Sequence, residues 1–173
     1  MTPLILVIGP SGAGKSTLVE RTGLKPMVSC TTRKPRKGER DGVDYTFLTE
    51  KEFKATPMIE TTSFAGNYYG TPEKEFVTSC IGIVDVPGAI RIREICRNKH
   101  RECYILGVDC ADRRVLYNRM LMRGDDQRAA ALRVENDSAA FRNMSVACDH
   151  VFYTDVPGQA EAFLLLVRKL LKV

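Results

Sequence analysis

Five consecutive aliphatic residues, Leu4-Ile5-Leu6-Val7-Ile8, open the pattern of this chain. A run with no polar position has both faces buried, as a parallel strand does between two layers of helices. Cys80-Ile81-Gly82-Ile83-Val84 and Cys103 to Val108 have the same character, and Val151-Phe152-Tyr153 reads as a last short strand. Helical patterns separate them. A helix starting near Lys15 continues through Thr17 to Arg21. Ala89 to Asn98 carries Ile90, Ile92, Ile95 and Cys96, and Asp112 to Met122 forms another helix. Ala160 to Lys172 aligns Phe163, Leu166, Val167, Leu170 and Leu171 along one side. Strands alternating with helices predict an α/β domain with a parallel sheet.

Residues 31–79 break this rhythm. Met27-Val28-Ser29-Cys30 predicts a short strand, and Val43 to Phe47 alternates as a half-exposed strand does. Thr49 is placed to cap a short helix through Lys54, with Glu52 at the capping-box position. Met58 to Thr62 and Asn67 to Tyr69 predict two more strands with Ala65-Gly66 between them. Thr71-Pro72-Glu73 predicts a helix start with Thr71 as its cap. The expectation is a small β-rich lobe inserted into one domain.

A length of 173 residues suits one domain, and 44% hydrophobic residues supply its core. The charge, 26 − 21 = +5, fits nucleic acid, a membrane surface or a phosphorylated small ligand. No dense Lys/Arg run is interleaved with aromatics, so no nucleic-acid partner is expected. The first apolar run is too short for a membrane span or a signal peptide. Cys30, Cys80, Cys96, Cys103, Cys110 and Cys148 show neither C-x-x-C pairs nor zinc spacing. The expectation is a cytoplasmic protein with reduced, mostly buried thiols and no membrane contact. His100 and His150 are isolated and read as surface or satisfied histidines.

The chemistry concentrates where the first strand ends. Gly9-Pro10-Ser11-Gly12-Ala13-Gly14-Lys15-Ser16 fits G-x-x-x-x-G-K-[ST] between a strand and a helix, with Thr17 next. Glycines turn amide N–H groups inward around an anion, and the helix N-terminus points its dipole at the same place. Lys15 reaches the β- and γ-phosphates of a nucleotide, and the Ser16 hydroxyl suits Mg²⁺.

A second block is Ser29-Cys30-Thr31-Thr32-Arg33-Lys34-Pro35-Arg36, then Gly38-Glu39 and Asp41-Gly42-Val43-Asp44-Tyr45. A third is Phe64-Ala65-Gly66-Asn67-Tyr68-Tyr69-Gly70, and a fourth is Arg119-Met120-Leu121-Met122-Arg123-Gly124. With these blocks the chain resembles guanylate kinase, a P-loop nucleoside monophosphate kinase family, over most of its length. The resemblance implies a single domain over 1–173. Its core would be 1–30, 80–118 and 144–173, its nucleoside monophosphate-binding lobe 31–79, and its short helical lid 119–143.

The resemblance also implies roles. Gly9 to Thr17 would bind ATP. Arg33, Arg36, Tyr45 and Tyr69 would hold the monophosphate of GMP or dGMP, forked guanidinium groups being suited to a phosphate. Glu60 would read the donor edge of guanine, with Ser29 and Thr71 near its O6. Asp85 would match the first aspartate of D-x-D-x-Q-G, near the acceptor or, with Ser16, Mg²⁺. Asp85-Val86-Pro87-Gly88 departs from that stretch by lacking the second aspartate and the glutamine, and reads as one residue shorter. Lys15, Arg36, Arg119, Arg123 and Arg133 would neutralise the moving phosphoryl group, with Arg128 as the alternative to Arg133. Thr154-Asp155 weakly resembles a pair near the donor base. The implied reaction is γ-phosphoryl transfer from ATP to GMP. Two alternatives stay open: a kinase for another nucleoside monophosphate, and an inactive binding module of the same fold.

Overall fold

The computed structural model of the chain describes residues 1–172 except Lys37 and Ala65, with Phe64 described through its backbone alone. Ala65, expected in a turn, therefore lies outside the described residues. β1 (Leu4–Ile8) is the central strand, and all five of its residues have no exposed surface. It lies between β7 (Ile81–Ile83) and β8 (Cys103–Asp109). β2 (Pro26–Met27) extends the sheet beyond β7, and β9 (His150–Tyr153) extends it beyond β8. The order is β2-β7-β1-β8-β9, parallel throughout.

Successive side chains of a strand point to opposite faces, so β1 feeds two cores. Ile5 and Val7 pack with Leu18 and Val19 of α1 (Lys15–Arg21), Leu116 and Met120 of α5 (Arg113–Met122), and Phe163 and Val167 of α8 (Gln159–Leu171). Leu4, Leu6 and Ile8 pack with Phe76 of α3 (Glu73–Thr78), Ala89, Ile92 and Cys96 of α4 (Val86–Asn98), and Met144 of α7 (Met144–Ala147). Each buried aliphatic side chain contributes about 1.5–3 kcal/mol.

The inserted segment forms a second sheet. β3 (Cys30–Thr31), β4 (Thr46–Phe47), β5 (Met58–Phe64) and β6 (Asn67–Pro72) take the order β4-β3-β6-β5. Pairing is parallel only between β3 and β4. α2 (Glu50–Ala55) carries the expected capping box between Thr49 and Glu52. Beyond α5, α6 (Gln127–Ala140) starts at Asp126, whose carboxylate caps Arg128 and Ala129 N–H, and it packs back against α5.

Local pattern misplaces four features. The strand expected over Met27 to Cys30 is two pieces: Met27 belongs to the large sheet and Cys30 to the small one. Glu75 Oε2 ties this crossing to the return one, accepting Val28 N–H at 3.1 Å and the Ser79 hydroxyl at 3.4 Å. The strand expected over Val43 to Phe47 forms only at its end, as a bridge at Tyr45 and β4 at Thr46–Phe47, while Val43 and Asp44 turn, with Asp44 N–H bonded to Arg40 O at 3.0 Å and Gly42 N–H to Tyr45 O at 2.8 Å. α4 begins three residues before Ala89, because the Asp85 carboxylate caps it and Pro87 suits a first turn. Thr71 caps nothing: it lies in β6 fully buried, and its hydroxyl donates to Glu60. All six cysteines are free. Cys30, Cys96 and Cys110 are buried, and Cys80, Cys103 and Cys148 are half-buried.

Candidate active site

The loop between β1 and α1 is built by close approach. A Cβ on Gly9 would lie 1.8 Å from the Val108 carbonyl oxygen, so the loop rests on β8 as only glycine allows. Gly12, at φ +79°, lies close to α5, where a Cβ would meet Leu116 O at 2.8 Å. The Lys15 ammonium turns into the loop and donates to Gly9 O and Pro10 O, each at 2.8 Å. Burial lowers its pKa from 10.5 to about 8. The charge of Asp137 opposes that shift, and those of Arg133 and Arg123 add to it.

Three elements converge on this loop from the other side. Arg119 of α5 donates to Gly12 O at 3.2 Å and Thr154 Oγ1 at 2.8 Å, and Thr154 in turn donates to Ala13 O at 2.7 Å. Arg133 of α6 donates from Nε to the Ser11 hydroxyl at 2.9 Å and pairs with Asp137 at 3.1 Å. The Asp137 carboxylate, 6% exposed, accepts the Ser11 N–H at 2.7 Å. A loop amide is thus already bonded to an anion supplied by the protein, at the place where amides of such loops take phosphate oxygens. Arg123 is exposed and paired with Asp125, and Arg128 is exposed in the first turn of α6. Of the two alternatives, Arg133 is the one on the loop.

Asp137 and Thr154 were not legible as loop partners. The i,i+4 spacing of Arg133 and Asp137 signals a helix pair and nothing about the loop. Asp155 accepts Ala111 N–H at 2.8 Å and Asp112 N–H at 2.9 Å, which anchors the segment after β8. Asp109, buried at the end of β8, forms a forked pair with Arg113 at 2.7 and 2.9 Å.

The acceptor-side residues lie on the small sheet and its loops. Arg33 makes a forked pair with Glu39 at 2.9 and 3.0 Å and lies over the Tyr45 ring at 5.4 Å. Burial lowers the Glu39 ion's stability, but the Arg33 guanidinium outweighs it and leaves the carboxyl below its ordinary pKa. Arg36 is exposed, held through its backbone N–H on Glu39. Tyr45 and Tyr69 meet edge to face at 6.2 Å. Ser29 lies half-buried in the crossing between the sheets. Glu60, with an 8% exposed side chain, accepts the Thr71 hydroxyl on Oε1 at 3.0 Å and Arg91 Nη2 on Oε2 at 3.0 Å.

Asp85 follows β7 at its carboxyl end, where ligands bind in open α/β sheets. Its Oδ1 accepts Gly88 N–H at 2.7 Å. Counted back from Gly88 without a gap, Asp85 would fall at the second-aspartate place of D-x-D-x-Q-G, whereas the one-residue shortening puts it at the first. β7 ends at Ile83, and Val84 links it to Asp85, the cap of α4.

Among the described residues no helix is long and apolar enough to cross a membrane, and no group of three His, Cys, Asp or Glu is placed to hold a metal ion. The donors available to Mg²⁺ are hard oxygens: the Ser16 hydroxyl at the start of α1 and the Asp85 carboxylate. These fit an ion that takes one or two protein ligands and fills its shell with water and phosphate.

The family profile described as guanylate kinase matches residues 1–128. A guanylate kinase of Latilactobacillus sakei is 35% identical over 91% of this chain and 84% of its own length. One from Fusobacterium nucleatum is 36% identical over 71% of this chain and 72% of its own. In fold, the chain is similar to the crystal structure of guanylate kinase from Anaplasma phagocytophilum. The TM-score is 0.68 at 23% identity, covering 99% of this chain and 88% of that one.

Proposed function

Because this chain belongs to the guanylate kinase family, we propose that it transfers the γ-phosphoryl group of ATP to GMP or dGMP, giving ADP and GDP or dGDP. The observation that carries this reading is the convergence of Lys15, Arg119 and Arg133 on one glycine loop at a helix N-terminus. Three cations at a glycine loop before a helix N-terminus suit a polyanion.

In this reading the loop from Gly9 through Pro10, Ser11, Gly12, Ala13, Gly14 and Ser16 to Thr17, whose residues other than Pro10 offer backbone N–H groups, holds the donor phosphates together with Lys15. Arg119, Arg123 and Arg133 from the lid side, residues 119–143, neutralise charge on the transferring group. The lobe, residues 31–79, holds the acceptor. Arg36, Tyr45 and Tyr69 face its phosphate, and Arg33 sets the shape of that loop through Glu39. Glu60, Ser29 and Thr71 read the base. Asp85 lies on the acceptor side with Glu60 and is also, with Ser16, a donor for Mg²⁺. Ser16 and Asp85 would hold Mg²⁺, which would supply positive charge against the donor phosphates.

The test is turnover with ATP and each of GMP, dGMP, AMP, CMP and dTMP, with Lys15→Met as the control. Guanine nucleotides turned over by the wild type alone support the reading. Turnover confined to another base would replace the acceptor, and equal background rates in both proteins would leave a binding module.

A further inference from the structure

We infer that Arg91 is a positioning residue for base recognition, fixing from the core domain the carboxylate that reads guanine. The inference rests on the acceptor-site reading of Glu60. Arg91 lies on α4, outside every motif quoted above, and α4 packs against β5, which carries Glu60. Its Nη2 reaches Glu60 Oε2 at 3.0 Å, while Thr71 holds Oε1 at 3.0 Å.

A guanine edge presents two donors side by side, N1–H and the 2-amino group. A carboxylate serves both only if its plane is fixed to meet them. Each carboxylate oxygen has about two lone-pair sites. Here each oxygen spends one on a protein donor, Thr71 or Arg91, and keeps capacity for one ligand donor. Thr71 alone fixes one oxygen and leaves the group free to swing about it. Arg91 is the second fixed point.

The geometry has a further consequence. Glu60 is 8% exposed and Arg91 40%, so the pair joins a buried acid of the lobe to a partly exposed base of the core. Among the described residues the Arg91 Nε is buried without a hydrogen-bond partner. Glu60 therefore supplies the compensation that keeps this guanidinium in place. Reading the base and seating the lobe on α4 are one contact.

The experiment measures steady-state kinetics of Arg91→Ala, Arg91→Lys, Glu60→Gln and the Arg91→Ala/Glu60→Gln double variant, with thermal melting and KM for ATP as controls. Acceptors are GMP and inosine monophosphate, which lacks the 2-amino group. Arg91→Ala is expected to raise KM for GMP about tenfold, with kcat and KM for ATP little changed. It should also narrow the preference for GMP over inosine monophosphate. Arg91→Lys should recover part of the loss, and Arg91→Ala should add little once Glu60 is Gln. An unchanged or lowered KM for GMP in Arg91→Ala overturns the inference, as does a loss shared equally by GMP and ATP. If Glu60→Gln itself leaves the base preference intact, the acceptor-site reading fails instead.

Discussion

Lys15 concentrates the electrostatics of the site in one group. Its pKa lies at about 8 in the folded, nucleotide-free chain against 10.5 for the free side chain. Below pH 8 it is charged and ready for phosphate. As pH rises through 8 it loses its proton, so kcat/KM for ATP should fall about tenfold per unit above that point. Stability moves the other way. Between pH 8 and 10.5 the unfolded chain binds the proton and the folded chain does not, so this group makes unfolding less favourable as pH rises. A pH series of ATP kinetics beside chemical denaturation would show the opposed slopes. Asp137 gives a second expectation. Its carboxylate sits on Ser11 N–H, near where the donor's negative charge would lie. Asp137→Asn should lower KM for ATP several-fold, the removed repulsion, screened by Arg133, being about a kcal/mol. It should also melt earlier, since a buried cap and a partner of Arg133 are weakened. Calorimetric titration of a non-hydrolysable ATP analogue would decide the first point. An affinity that falls would show the contact to be support for the loop rather than competition with the ligand.

Elements were legible in proportion to how local their causes are. β1, β7 and β8 follow from apolar runs, because a strand buried on both faces has no polar position to confuse. α2 follows from Thr49 and Glu52, whose reciprocal bonds lie within four residues. Thr49→Ala should therefore cost about 1 kcal/mol in urea denaturation. β3 and β4 are two residues each and exist only through their partners Gly70, Tyr69 and one another. No local pattern fixes the limits of such strands, which is why the one expected over 27–30 divides between two sheets and the one expected over 43–47 shortens to its end. The site divides in the same way. The glycine loop is contiguous, so its eight residues are visible in the sequence. The Asp137–Ser11 bond spans 126 positions and the Arg91–Glu60 pair 31, and neither leaves a periodic trace.

At the scale of the molecule, the residues proposed for the two nucleotides are spread over both sheets. Those proposed for the donor lie where β1 meets α1, and most of those proposed for the acceptor lie on the small sheet and its loops, with Asp85 at the end of β7. Chelating Mg²⁺ is expected to stop turnover while GMP still binds, since the acceptor groups are protein side chains. Turnover surviving EDTA would remove the metal from the reaction. The two sheets are joined at the crossing through Val28 and Ser29 and at the return through Ser79, and Glu75 ties the two passages together. A body joined through two adjacent passages of chain turns most easily about the line between them once its contact with α4 is released. Ser29, a base-reading candidate, lies on that axis rather than at the rim. The acceptor base would then be sensed at the pivot, where its own position changes least as the lobe swings, and the angle of the swing would be felt by the phosphate at the far end of the lever.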